Sequence, residues 1–271
     1  PRAPLVVSYH SDIVRQKRLL RLYAPLLRRT LRRAARIISF SPAYIHSSRF
    51  LAPLAAKCTV VPHGIDLARF AQPDPAQVAA IRARYPGPLT LFVGRLRYYK
   101  GVEQLVRAMA HTPGSALIIG ADATVRRADL EQLAHALGVA ERVHFLVVDD
   151  AQLPSYYHAA DLFVLPSVER SEAFGIVQIE AQAVGLPIVT TELGTGTSYV
   201  TQHGQTGIVV APADHLALAR AMRAILENPG LGRAFGAAGH QRAQAEFGHA
   251  QMIARVERLY TEVLEAAGRP S

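Results

Sequence analysis

The sequence has 271 residues, half of them apolar, and a formal net charge of +9. This length allows one large domain or two small ones with a real core, and the sparse charges without low-complexity tracts exclude a disordered chain. The single cysteine, Cys58, excludes an intrachain disulfide and favours a reducing compartment, so we expect a cytoplasmic protein without membrane-spanning segments.

A basic segment at residues 15–36 accounts for the net charge. It follows a predicted strand at 5–9 and a polar loop that contains His10. The segment holds nine cations and no acidic residue, and nine equals the formal charge of the whole chain. The cations are Arg15, Lys17, Arg18, Arg21, Arg28, Arg29, Arg32, Arg33 and Arg36.

Leucines are interleaved with these cations, so the segment predicts a basic amphipathic helix, interrupted or kinked near Pro25. One interpretation is a helix that packs on the core with a solvated outer face. A second is a helix that docks on an anionic membrane surface. A nucleic-acid partner is the third, but no helix-turn-helix, zinc-finger or aromatic-stacking pattern accompanies the helix. We expect an anionic membrane surface as partner and no nucleic acid, with the solvated helix as the open alternative.

Two further strands are predicted from short apolar runs at 36–40 and 59–61. Ser41 and Pro42 between them have the character of a helix cap and a first helical residue. Residues 64–88 are rich in proline and alanine at both margins and predict a linker with a small helix in it. We therefore place a domain boundary near residue 75.

Strands and helices alternate regularly from residue 89 onward. The predicted strands are 89–93, 116–119, 143–148, 161–165, 188–191 and 207–210, and the predicted helices 102–109, 128–137, 153–159, 175–184 and 216–226. Nearly all-apolar strands that alternate with helices predict an α/β fold with a doubly wound parallel sheet. Such sheets bind ligands at the carboxyl ends of their strands. A last amphipathic helix, 249–267, is long enough to cross back to the neighbouring domain.

A candidate diphosphate site follows the first of these strands. Gly94, cations at 95, 97 and 100, and Gly101 precede a predicted helix. Amides at a helix N-terminus and fixed cations both stabilise phosphate oxygens. The stretch lacks the GKS or GKT ending of a P-loop and the GxGxxG pattern of a dinucleotide site.

Two carboxylates, Glu172 and Glu180, form a second candidate. If most of the interval between them is helical, they lie roughly 10 to 12 Å apart at about 1.5 Å per residue. That is too far for an acid/base pair on one bond, but it fits two hydroxyl-rich groups at the ends of one ligand, with a diphosphate between them. Both could be ordinary surface residues, but an unpaired acid in the apolar surroundings of Glu180 would be costly.

The glycine-and-cation stretch, together with Glu172 and Glu180 in an E-x7-E arrangement, resembles the nucleotide-sugar domain of family-4 retaining glycosyltransferases. Residues 61–66, 160–167 and 183–189 match further stretches typical of the family, with His63 where asparagine is commoner. The resemblance covers most of residues 5–265. It implies the GT-B fold, which has two Rossmann-like domains.

The resemblance also implies roles for single residues. Arg95 and Lys100, in the loop that begins at Gly94, would hold the donor diphosphate and stabilise the departing nucleoside diphosphate without a metal or other cofactor. Glu180 would bind the ribose hydroxyls, and Glu172 would contact the transferred sugar. The remaining implied site residues are His10, facing the sugar, and Phe174, Gly175 and Ile176, whose amides bind sugar or phosphate. Structural roles are favoured for His63 and His158.

The front of the sequence departs from the family pattern. A GT-B enzyme begins with a glycine-rich loop and a long first segment that have no counterpart here. We therefore predict 1–75 as the remnant of the acceptor-side domain, 76–248 as the nucleotide-sugar domain and 249–271 as the returning helix. A fragment of a longer gene product and an incomplete gene model both fit, and residues 1–63 should expose apolar surface.

The function implied is transfer of a hexosyl group, with retention, from a nucleoside-diphosphate sugar to a lipid-linked saccharide at the inner face of the cytoplasmic membrane. Residues 195–199 resemble bacterial members that build O-antigen, capsule and exopolysaccharide, which favours a mannosyl group from GDP-mannose. The departure at residues 145–148 leaves the base open. One alternative is a nucleotide-sugar-binding module without activity by itself. A GT-B hydrolase or epimerase is disfavoured because Glu172 and Glu180 stand in the transferase arrangement.

Overall fold

The structure is a computed structural model that describes residues 3–13 and 17–268, the side chains of residues 17–19 excepted. Arg15 and the side chains of Lys17 and Arg18 in the basic segment lie outside the described residues, as do the outermost residues of the first and last predicted domains. Two parallel sheets form the fold, one of three strands and one of six. Within the described ranges, no helix is both long and apolar enough to cross a membrane.

The smaller sheet has the order β1-β2-β3, and both strand pairs are parallel. Its elements are β1 (Val6–Ser8), α1 (Lys17–Arg33), β2 (Arg36–Ser39), α2 (Pro42–Ser47), a 3-10 helix (Ala52–Lys57) and β3 (Cys58–Val60). Parallel neighbours need a crossover connection, which the helices supply. The Ser41 side chain accepts a hydrogen bond from the amide of Tyr44 and caps α2, as predicted.

Helix α1 runs without a break through Pro25, so of the two predicted outcomes the interruption is wrong, while the kink stays a prediction. Proline removes one hydrogen bond from the helix. The turns on both sides are held by the burial of Leu20, Ala24 and Leu31 in the core of the smaller sheet. The free energy gained from this packing therefore outweighs the loss of one helical hydrogen bond at Pro25.

The segment predicted as a linker with one small helix contains two helices, α3 (Ala68–Ala71) and α4 (Pro75–Arg84). The Asp74 carboxylate caps α4. Near the end of α4, the Arg82 guanidinium donates two hydrogen bonds to Asp161, at 2.7 and 2.8 Å. This bidentate pair fixes α4 to the larger sheet.

The larger sheet has the order β6-β5-β4-β7-β8-β9, and every strand pair is parallel. Its strands are β4 (Leu89–Val93), β5 (Ser115–Ile119), β6 (Val143–Leu146), β7 (Leu162–Leu165), β8 (Ile188–Thr191) and β9 (Gly207–Val210). The chain builds outward from β4 through β5 to β6, then returns to the other side of β4 with β7. The strand order thus reverses between β4 and β7, which is where a doubly wound sheet opens a crevice for ligands.

Helices cover both faces of this sheet. They are α5 (Val102–Met109), α6 (Arg127–Ala136), α7 (Leu153–Ala159), α8 (Val177–Ala183), α9 (Thr197–Val200), α10 (His215–Leu226) and α11 (Pro229–Glu246). A further helix, α12 (His249–Ala266), follows them. The sequence analysis missed α9 and α11. The glycines of α11 weaken its helical pattern, but they allow close packing, since a Cβ at Gly236 would lie 2.0 Å from the carbonyl oxygen of Gly185.

The chain passes between the two sheets twice, and the two crossings touch. The amide of Ile65 donates to the carbonyl of Phe247 at 2.9 Å, and the amide of His249 donates to that of Ile65 at 3.1 Å. A Cβ at Gly64 would lie 2.6 Å from the carbonyl oxygen of Gly248. Beyond the second crossing, α12 packs Leu259 into a cluster with residues of the smaller sheet.

Candidate functional site

Loops that follow β4 and β7 meet at the switch point of the larger sheet. Gly101, with φ +65°, closes the loop after β4, and a Cβ there would lie 2.0 Å from the carbonyl oxygen of Pro166. Only glycine allows this backbone contact and this left-handed conformation together. The contact brings Lys100 over the loop that follows β7.

Lys100 and Glu172 form an ion pair at this point. The Lys100 Nζ lies 2.6 Å from Glu172 Oε2, and the two side chains are only 13% and 10% exposed. The Ser167 hydroxyl donates to the same oxygen at 3.3 Å, and the Thr195 hydroxyl donates to the Glu172 backbone carbonyl at 2.8 Å. Breaking a pair this deep leaves a buried charge without its partner, which typically costs about 3–5 kcal/mol. Both charged groups are therefore held at fixed positions.

A cavity of about 330 Å³ lies beside this pair, between the two sheets. The smaller sheet contributes His10, Ser11 and His63 to its wall. The larger sheet contributes Lys100 and the stretch from Ser171 to Val177. Of the residues that the resemblance implied, this one cavity brings together His10, Lys100, Glu172, Phe174, Gly175 and Ile176.

The start of α8 forms the floor of the cavity. The helix begins at Val177, two residues later than predicted, because Gly175 has φ +81° and cannot continue a right-handed helix. The stretch between Glu172 and Glu180 is thus helical only over its second half. The separation of roughly 10 to 12 Å between the two glutamates is predicted only for a mostly helical interval, so it does not apply here.

Aromatic rings form the wall on the smaller-sheet side. His63 stacks on Phe40 with ring centroids 3.7 Å apart and meets Phe174 edge-on at 5.0 Å. His10 lies 4.9 Å from Phe40. Burial, and then the positive charge of His10, lowers the pKa of His63 to about 4, so His63 is neutral near pH 7. The sequence analysis assigned His63 a structural role, whereas here it also faces the cavity.

Gly94, Arg95 and Glu180 do not line this cavity. Gly94 lies beside the Lys100 side chain, since a Cβ there would be 3.5 Å from Lys100 Cε. Arg95 is exposed, and its side chain makes no hydrogen bond or ion pair with the described residues. Glu180 is partly buried in α8 and accepts a hydrogen bond from the Tyr157 hydroxyl at 2.6 Å. His158, next to Tyr157, has its Nε2 2.7 Å from the carbonyl oxygen of Phe70, a structural contact.

An ion pair that the sequence analysis missed lies next in sequence to residues that line the cavity, and it joins the loop after β1 to the loop after β7. Asp12, two residues after His10, lies 3.4 Å from Arg170, two residues before Glu172. The hydroxyls of Tyr9 and Ser48 donate to the other oxygen of Asp12, at 2.8 and 2.7 Å. No motif contains both partners, so the sequence carries no signal for this contact.

Among the described residues, no group of three or more His, Cys, Asp or Glu side chains is arranged to hold a metal ion. The prediction that donor binding needs no metal stays a prediction.

Family comparisons agree with the geometry. Residues 76–242 match the model of glycosyl transferases group 1, and residues 1–69 match that of Glycosyltransferase Family 4. The chain belongs to the glycosyl transferases group 1 family. This confirms the family that the motifs predicted.

The curated relatives of this glycosyltransferase chain include two sugar transferases of bacteria. The D-rhamnosyltransferase WbpZ of Pseudomonas aeruginosa is 40% identical over 227 residues, which are 83% of this chain and 59% of that protein. The O-antigen chain mannosyltransferase C of Escherichia coli is 35% identical over 266 residues, which are 98% of this chain and 71% of that protein. The matched region thus spans less than two thirds of the first relative, 59%, and 71% of the second.

Solved structures of glycosyltransferases share the fold. The sucrose-phosphate synthase of Thermosynechococcus elongatus superposes with a TM-score of 0.82 at 29% identity, over 96% of this chain and 68% of that one. HepE of Anabaena in complex with UDP superposes with a TM-score of 0.82 at 22% identity, over 96% of this chain and 72% of that one. The fold is GT-B, as predicted, with the six-stranded sheet as its larger part.

Proposed function

We propose that this chain binds the donor in a retaining hexosyltransferase, which moves a sugar from a nucleoside-diphosphate sugar to a lipid-linked saccharide in bacterial surface polysaccharide synthesis. The observation that carries the proposal is the buried Lys100–Glu172 pair, which lines the cavity between the two sheets. The names of the two curated relatives support a mannosyl or a rhamnosyl group and an O-antigen product.

Lys100 holds the diphosphate in this proposal. An ammonium has three donors, and Glu172 Oε2 is the acceptor within 2.6 Å of it. The remaining donors are available to phosphate oxygens, and exposed Arg95 in the same loop adds a second positive charge. These two charges stabilise the leaving nucleoside diphosphate as the sugar bond breaks, so the reaction needs no metal or other cofactor.

Glu172 faces the transferred sugar, and His10 approaches it from the smaller sheet. Retention follows if the acceptor hydroxyl attacks on the face from which the diphosphate leaves, and no protein nucleophile is required. The ordered positions of Lys100 and Glu172 lower the cost of organising the site, because neither side chain has to be immobilised when the donor binds.

The outer face of α1 supports docking on the inner face of the cytoplasmic membrane. Leu22 and Leu26 are 81% and 60% exposed, one turn apart. Arg29 and Arg33 continue the same helical face and are exposed as well. Apolar side chains followed by cations suit the boundary between lipid tails and anionic headgroups.

A second candidate is a donor-binding module that is inactive by itself. The fact that favours it is that the matched region covers only 59% of the D-rhamnosyltransferase relative. This candidate shares the donor site but predicts no sugar transfer by the isolated chain.

Calorimetric titration with UDP, GDP and ADP, without added metal and with a chelator present, tests the donor site. We expect one nucleotide to bind, and Lys100→Ala to weaken it about 10- to 100-fold through the loss of a charged hydrogen bond. Arg220→Ala, at an exposed arginine on α10 with no hydrogen bond or ion pair to described residues, serves as the matched control. Failure of the folded wild-type chain to bind any of the three nucleotides contradicts the proposal.

Glu172→Gln shows whether weaker nucleotide binding in Lys100→Ala comes from the missing lysine charge or from the broken ion pair. It leaves Lys100 free for phosphate, so nucleotide affinity should stay within a few-fold of wild type. Sugar transfer to a lipid-linked acceptor should fall sharply in the full-length protein. Equal loss of nucleotide binding in Glu172→Gln and Lys100→Ala would mean that the pair is only structural.

A further inference from the structure

The Tyr157 hydroxyl makes the closest polar contact to Glu180. Tyr157 lies on α7 and is fully buried, and its hydroxyl donates to Glu180 Oε2 at 2.6 Å. A weaker contact of 3.4 Å joins the same hydroxyl to the carbonyl of Val177. No motif of the sequence analysis includes Tyr157.

Packing fixes the Tyr157 ring. Phe70 of α3 meets it edge-on with centroids 5.7 Å apart, and Phe163 of β7 lies 5.7 Å away on another side. A ring held by two aromatic neighbours in a close-packed interior has one available orientation. The direction of the hydroxyl is thus set by the fold.

Glu180 has one oxygen committed and one available. Oε2 accepts from Tyr157, whereas Oε1 makes no hydrogen bond with any residue that the structure describes. The side chain is only partly buried, so a ligand can still reach it. An ionised carboxylate is an acceptor only and can take several donors, which suits a pair of vicinal hydroxyls.

Four charged or titratable groups face this carboxylate. They are Tyr157 on α7, Arg69 on α3, Asp150 in the turn before α7, and Lys100 after β4. Burial raises the pKa of Glu180, while the Tyr157 hydrogen bond and the positive charge of Arg69 act in the opposite direction. Arg69 is itself held by Asp150 at 2.8 Å.

We propose that Tyr157 is a positioning residue for the donor ribose. Its hydroxyl fixes Glu180 in one rotamer and favours the ionised carboxylate, so that the second oxygen accepts hydrogen bonds from the ribose hydroxyls. The inference rests on the proposed function together with the role that the family resemblance implies for Glu180, binding of the ribose hydroxyls. It adds a residue on a different helix that acts through Glu180 and does not touch the donor.

Tyr157→Phe tests the inference because it removes the hydroxyl and keeps the ring. The probe is the nucleoside diphosphate that the wild-type chain binds, compared in competition with its 2′,3′-dideoxy analogue. We expect the variant to bind the ribonucleotide about 10-fold more weakly, as for the loss of a hydrogen bond to a charged group, and the dideoxy analogue as wild type does. Tyr156→Phe, at the partly exposed neighbouring tyrosine, is the matched control and should change neither affinity.

A pH series supplies a readout that lost packing would not change. Ribose binding needs the ionised Glu180, so affinity is full above the pKa of this carboxyl and is lost as the pH falls through it. Tyr157→Phe removes a hydrogen bond that lowers this pKa, and the loss of affinity should therefore begin at a higher pH than in wild type.

Glu180→Gln distinguishes the possible failures. If Glu180→Gln loses the preference for the ribonucleotide and Tyr157→Phe keeps both that preference and the wild-type pH profile, the positioning role of Tyr157 is wrong. If Tyr157→Phe weakens both nucleotides equally, the hydroxyl is only structural and the inference is also wrong. If Glu180→Gln keeps the preference while Lys100→Ala loses binding, the ribose assignment itself fails.

Discussion

The two sheets differ in how completely the chain covers them. All five residues of β4 in the larger sheet are buried, whereas none of the three residues of β1 or of β3 is buried. The helix that follows β1 leaves two leucines largely exposed, although its inner side is packed. The comparison indicates that the larger sheet carries most of the stability, and in the proposed function it also supplies the nucleotide contacts. The smaller sheet contributes one wall of the cavity and an outer surface free for other partners.

The largest effect is expected on the free energy of unfolding, at the close contact between the loops that follow β4 and β7. Gly101→Ala should lower the free energy of unfolding by about 4 kcal/mol, because it combines an unfavourable left-handed conformation with a backbone clash against Pro166. Gly138→Ala is the matched control, since Gly138 has φ +69° and open space around it. It should cost about 1 kcal/mol. Chemical denaturation measures both, and equal costs would show that the contact between the two loops is not tight.

The second-largest effect is expected on membrane binding by the exposed face of helix α1, beside the smaller sheet. Arg29→Glu combined with Arg33→Glu should weaken co-sedimentation with anionic phospholipid vesicles by about 30-fold or more, at about 1 kcal/mol for each arginine. Arg220→Glu with Arg258→Glu changes the net charge equally at exposed sites far along the chain and serves as the control. Wild-type protein that binds neutral vesicles as well as anionic ones would refute docking by charge.

The smallest expected effect is on the pH dependence of stability, and it concerns His63 in the cavity wall between the two sheets. His63 in the unfolded chain takes up a proton near pH 6.5, but in the folded protein only near pH 4. Between these values the unfolded state binds more protons, so stability is full above pH 6.5 and falls as the pH decreases toward 4. His63→Asn should remove about 1 kcal/mol of this loss, less than the full shift implies, because solvent reaches the ring from the cavity.

Thermal unfolding followed from pH 7 to pH 4 measures this difference. His135→Asn, at an exposed histidine on α6, is the control and should follow the wild-type curve. Parallel curves for wild type and His63→Asn would show that His63 takes up its proton normally in the folded state.

Most of the larger sheet could be predicted from the sequence because its strands are short, apolar and separated by helical patterns. The strands β4, β8 and β9 begin and end where the pattern predicts. Helix α11 could not be predicted in this way. Its glycines resemble helix breakers in sequence, and the close contact of Gly236 with Gly185, which explains one of them, appears only in the folded chain.

The candidate site could likewise be predicted from the sequence only in part. Lys100 and Glu172 stand in recognisable stretches, but their direct ion pair depends on the contact between two loops that only the folded sheet brings together. His63 and Phe40 form a stacked pair across two strand ends, and Tyr157 reaches Glu180 from another helix. Such contacts arise from tertiary packing and leave no local pattern.

The paired crossings at Ile65 and Gly248 have a mechanical consequence. Both connections between the sheets leave from one place and are hydrogen-bonded to each other, so a rotation of one sheet against the other turns about this point with little stretching of the chain. The ion pair between Asp12 and Arg170 links the loop after β1 to the loop after β7 and would have to break as the two sheets part. We expect the two sheets to rotate about a hinge at the crossings, and the Asp12–Arg170 ion pair to hold them closed.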